Sequence, residues 1–76
     1  MSKQEQLMEY ITQDIILYIM EDREIGLDEA LNQFYNSEVF KKLQDVETGL
    51  YLEGAAYVYD VYKTELQYGK LAQLEQ

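Results

Sequence analysis

The chain contains no histidine, cysteine, tryptophan or proline. Without cysteine there is no disulfide and no thiolate metal site to staple a small fold. Without histidine or cysteine, Ser2 and Ser37 have no imidazole partner and no thiol competes for the role of nucleophile. A zinc site would have to rest on carboxylates alone. Cations are scarce: six Lys and Arg stand against fifteen Asp and Glu, a formal net charge of −9. Phosphate contacts need clustered cations, so direct binding to nucleic acid and to an anionic membrane surface is disfavoured. Long apolar runs are also missing. The longest, Ile15-Ile16-Leu17-Tyr18-Ile19-Met20, falls far short of the ~20 residues that span a bilayer. The N-terminus Met1-Ser2-Lys3-Gln4-Glu5 does not read as a signal peptide, and a cytoplasmic location is expected.

Glycine is sparse as well, and its placement excludes a phosphate-cradling loop. Gly49 and Gly54 are separated by Leu50-Tyr51-Leu52-Glu53, and no Lys-Ser/Thr follows Gly54. The acids Glu21, Asp22, Glu24, Asp28 and Glu29 cluster between two helical segments. As a calcium loop they fail: Gly26 stands where a third ligand belongs and Gln33 where the closing Glu belongs. They read as a solvated acidic face. No metal or cofactor is implied.

What is present is helical periodicity over one domain, residues 1–76, with apolar residues making up 47% of the chain. That is ample for a core, although the chain is near the lower size limit for folding unaided. Ser2 and Glu5 form a capping-box pattern, and Leu7, Met8, Ile11, Ile15, Tyr18 and Ile19 recur at helical spacing over residues 3–23. Gly26 is expected to supply a left-handed stop. Ala30, Leu31, Phe34 and Tyr35 give a face to a second helix over 28–36. Ser37 caps a third over 38–44, with Val39, Phe40 and Leu43 inward. Gly49 is placed in a turn at positive φ, and Leu50-Tyr51-Leu52 is a connection, potentially extended, that pins the turn to the core. A fourth helix runs over 54–68 with Ala55, Val58, Tyr62 and Leu66 as its stripe and Tyr59 off it; Gly69 stops it, and Leu71 and Leu74 could prolong it. The expected fold is an all-α, compact bundle of about four helices, two long and two short.

Two features suggest contact with another protein. Ile16, Leu17 and Met20 lie off the main stripe of the first helix, so that helix is apolar nearly all round and needs a partner on a second side; a homodimer is expected. Eight tyrosines, among them Tyr57, Tyr59 and Tyr62 in the last helix, suggest half-exposed rings at a recognition surface. The negative charge would steer a basic partner toward such rings. The candidate interaction residues are therefore Ile16, Leu17, Met20, Tyr57, Tyr59 and Tyr62.

At Leu27-Asp28-Glu29-Ala30-Leu31, Phe34-Tyr35-Asn36-Ser37, Leu43-Gln44-Asp45-Val46-Glu47-Thr48-Gly49-Leu50-Tyr51 and Tyr57-Val58-Tyr59 the chain resembles a group of small uncharacterised bacterial proteins. The likeness covers about residues 10–66, and Thr48-Gly49-Leu50-Tyr51 is its most specific part. It implies an accessory partner of the kind encoded beside toxin-like or mobile-element genes, an antitoxin-type role, and it brings no catalytic residues. The group often carries Ser before the last helix where this chain has Gly54, which bears on the helix cap. The expected function is thus a non-enzymatic protein-interaction module. The alternatives are an acidic nucleic-acid mimic, which needs carboxylates spaced like phosphates on one face, and a carboxylate-based enzyme or metal-binding protein.

Overall fold

In the computed structural model, which describes residues 2–69, four α-helices build the fold and no strand occurs among the described residues. They are α1 (Lys3–Arg23), α2 (Leu27–Tyr35), α3 (Glu38–Gln44) and α4 (Ala55–Tyr68). Two short 3-10 turns, Val46–Thr48 and Leu50–Leu52, link α3 to α4.

The capping box forms as the pattern requires. Ser2 Oγ accepts from the Glu5 N–H at 3.1 Å and the Glu5 carboxylate accepts from the Ser2 N–H at 3.0 Å. At its other end α1 stops at Arg23, as the sequence suggests, but the left-handed stop falls on a different residue. The left-handed residue is Glu24 (φ 54°), not Gly26, whose φ is −80° and which opens α2 in extended conformation. The next residue, Ile25, packs against the core, and this contact fixes where the chain turns.

The core gathers one face of every helix: Met8, Ile11, Ile15, Ile16 and Ile19 from α1, Ala30 and Phe34 from α2, Val39 and Leu43 from α3, and Val58, Tyr59, Val61 and Tyr62 from α4. Leu7, expected inside, is exposed, because the cluster begins one residue later at Met8. Leu66, expected to continue the α4 stripe, is also exposed. One residue before it, Glu65 turns to α3 and replaces apolar contact with hydrogen bonds.

Seven residues are too few for an isolated helix, so α3 depends on its ends. At its start Ser37 Oγ accepts from the Phe40 N–H at 3.1 Å, and the Glu65 carboxylate takes the N–H groups of Glu38 and Val39. At its finish Thr48 Oγ1 donates to the carbonyls of Lys42 and Asp45, at 2.7 and 2.8 Å, and accepts from the Leu50 N–H at 3.2 Å. Gly49 follows at φ 68° as expected, and Leu50 is buried to 2% exposure. Leu50-Tyr51-Leu52 is a 3-10 turn, not an extended segment. The Thr48-Gly49-Leu50-Tyr51 element is therefore a C-terminal clasp for α3. Gly54 begins α4 without a side-chain cap, and Gly69 ends it in left-handed conformation. The expected prolongation through Leu71 and Leu74 lies outside the described residues.

Candidate functional site: a groove between α1, α2 and α3

The first helix buries two apolar rows, and beside the second of them the packing leaves a gap. Ile11, Ile15 and Ile19 point into the core. Turned from them is a second row at i, i+4 spacing, Met8, Thr12 and Ile16, and beside it a third, Glu5, Glu9, Gln13 and Leu17. Facing these rows, α2 supplies Leu27, Leu31 and Tyr35, again four residues apart, and α3 supplies Phe40 and Gln44. Between them lies an open groove of about 620 Å³. Its floor is Met8, Thr12 and Ile16, all buried. Its walls are apolar and open to solvent: Leu17 is 56%, Leu27 53% and Tyr35 49% exposed. The Thr12 hydroxyl donates to the Met8 carbonyl at 2.8 Å, so the floor holds no free hydroxyl proton. Two carboxylates, Glu5 and Glu9, line the groove on α1, and among the described residues no Lys or Arg lines it.

The six expected interaction residues are not brought together. Ile16 is buried on the groove floor and Leu17 forms its wall. Met20 is half-buried against the core rather than on a free face. The apolar surplus behind the expected self-association therefore shrinks to the groove. Tyr57 is exposed on α4, away from the groove. Tyr59 and Tyr62 are corrected outright as exposed rings: they are 8% and 1% exposed and belong to the core.

The reason is an aromatic spine. Tyr18 packs on Tyr59 with ring centroids 5.2 Å apart, Tyr59 stacks on Tyr62 at 6.2 Å, and Tyr62 meets Phe34 edge-to-face at 5.4 Å. Phe34 meets Phe40 at 5.5 Å, and Phe40 meets Tyr35 at 4.8 Å. The series runs from the α1–α4 contact through the core to the groove wall. Two of the eight tyrosines, Tyr59 and Tyr62, thus build the interior, where ring pairs add to area burial, while Tyr10, Tyr35, Tyr57 and Tyr68 stay exposed.

One ring in from Tyr18, Tyr59 donates to an Asp22 carboxylate oxygen at 2.7 Å, and Lys63 Nζ lies 5.0 Å from the Tyr59 ring centre. Burial, then the hydrogen bond to Asp22 and that carboxylate's charge, push the Tyr59 phenol far up, with Tyr62 adding to the rise and Arg23 opposing it. Burial also raises Tyr62; Arg23 opposes the rise and Glu65 adds to it. Neither ring borders the groove.

Among the described residues no group of three or more acids is gathered as a metal-ligand set, and no helix is long and apolar enough to cross a membrane. The groove escapes sequence reasoning because it belongs to three helices at once. The one available signal is the repeated four-residue spacing of Leu27, Leu31 and Tyr35 beside the surplus at Ile16 and Leu17. No known protein family, curated protein or solved structure matches the chain.

Proposed function

We propose that this protein is a non-enzymatic protein-interaction module that binds a basic protein through the groove between α1, α2 and α3. An antitoxin-like masking of that partner is its concrete form, which draws on the sequence resemblance at Thr48-Gly49-Leu50-Tyr51. The observation that carries the reading is the groove itself: apolar walls at Leu17, Leu27 and Tyr35 left in solvent, under a rim whose only charges among the described residues are Glu5 and Glu9. Exposed apolar clefts with a polar rim mark contact surfaces. The net charge of −9 favours fast encounter with a cationic surface. A second copy of the chain is a poorer match, since it brings the same acidic surface to an acidic rim.

The test is co-purification of the tagged chain from its native cells, with Leu17→Glu in parallel. A basic protein recovered in stoichiometric amount with the wild type and lost with the variant supports the reading. Surface plasmon resonance should then show an on-rate that falls with salt. A partner retained by Leu17→Glu, or a partner of acidic charge, overturns it.

A further inference from the structure

Every wall of the groove is an α-helix. Along α1, the longest wall, residues 5–17 offer side chains but no free backbone C=O, because the helical ladder uses them all. An extended segment laid into the groove would bury its own backbone polar groups without partners. A helix brings its backbone bonds with it and asks only for side-chain contact. The groove's length suits one. From Glu5 to Leu17 the α1 wall runs about 18 Å at the ordinary helical rise, which is about three turns. The walls repeat every four residues, Leu27-Leu31-Tyr35 on α2 and Glu5-Glu9-Gln13-Leu17 on α1, the spacing of ridges that accept the ridges of another helix.

Charge selects the occupant further. Glu5 and Glu9 stand on the α1 rim, and among the described residues no cation lines the groove to answer them. The geometry points to an amphipathic α-helix of about three turns, apolar at i, i+4 and i+7 and flanked by Lys or Arg, as the segment that the basic partner inserts between α1 and α2. This rests on the groove being the contact surface, and it names the kind of segment that fills it.

The experiment titrates the full chain against three fluorescently labelled synthetic peptides of about four turns. One carries Leu at i, i+4, i+7 and i+11 and Lys elsewhere. The second is the same composition scrambled. The third keeps the pattern with a central proline, which breaks the helix. The amphipathic peptide should bind at least about tenfold tighter than the other two. Its amide shifts should centre on Met8, Thr12 and Ile16. Leu17→Glu and Leu27→Glu should each weaken it about tenfold, although both add negative charge. Glu9→Lys should weaken it and flatten the salt dependence. Equal binding of all three peptides, or tighter binding by Leu17→Glu, would mean plain Coulomb attraction and overturns the inference. So does a dimer in sedimentation that Leu17→Glu dissociates, because a second copy then fills the groove. Loss of a co-purified basic partner on Leu17→Glu, with no groove-dependent peptide binding, sinks the helix while leaving the groove. A partner that survives Leu17→Glu removes both.

Discussion

The carboxylate of Glu65, on α4, accepts from the Val39 N–H at 3.0 Å while its other oxygen accepts from the Glu38 N–H at 2.9 Å. One side chain thus closes the start of α3 from a different helix. It supplies two charge-assisted bonds at the positive end of the helix dipole. Because α3 carries Phe40 and Gln44 into the groove, Glu65 also holds that wall in place. Replacing Glu65 with Ala should cost about 1–3 kcal/mol in urea unfolding, and Gln, which keeps one good acceptor, should cost less. Equal stability of Glu65→Ala and wild type would show that the cap is idle.

Tyr59 and Tyr62 are neighbours in the spine but should respond oppositely to loss of the hydroxyl. Tyr59 donates to Asp22 at 2.7 Å, so Tyr59→Phe should destabilise by about 0.5–1.5 kcal/mol. The buried Tyr62 hydroxyl has no hydrogen-bond partner among the described residues. Tyr62→Phe should therefore be neutral or stabilising, since it removes a polar group left unpaired. Thermal unfolding of the two variants side by side checks the contrast.

The same two phenols predict a loss of stability at alkaline pH. Both are raised in the fold, so the folded state holds their protons after the unfolded chain, with ordinary values near 10, has begun to release them. Their contribution is intact below pH about 10 and falls as pH rises above it, because the unfolded state then binds fewer protons than the native state. Phenolate absorbance should show two tyrosines that ionise only together with unfolding. Tyr59→Phe should shift the alkaline unfolding midpoint upward.

Two left-handed residues offer opposite substitutions. Gly49 sits at φ 68° with open space where a side chain would begin, so Gly49→Val pays in backbone strain alone, about 1–3 kcal/mol. Glu24 holds φ 54° with a side chain already present. Glu24→Gly should stabilise by about 1 kcal/mol, against the entropy that glycine adds to the unfolded chain. Urea midpoints in the order Glu24→Gly, wild type, Gly49→Val from most to least stable are expected.

On the groove wall, Leu17→Glu and Leu27→Glu should change stability by no more than about 0.5 kcal/mol, since both side chains are largely in solvent. A larger loss in urea would mean that these residues support the fold rather than face a partner.

The sequence by itself determined the four helices, because their signals are local. The Ser2–Glu5 capping box, the Ser37 cap, the turn at Gly49 and the stop at Gly69 each act within a few residues of chain. Apolar periodicity then states that a face is buried. It does not state against what. Tyr59 and Tyr62 read as exposed rings from spacing alone, yet Tyr18, Phe34 and Asp22, distant in sequence, surround them. Gly26 was the obvious stop for α1, but the docking of Ile25 placed the turn at Glu24. Leu66 continued the α4 stripe until Glu65 reached α3. Only the tertiary structure decided that the second apolar row of α1 becomes the floor of a groove between α1, α2 and α3. A gap between helices depends on how three elements pack together, and each element's own residues encode only its side of it.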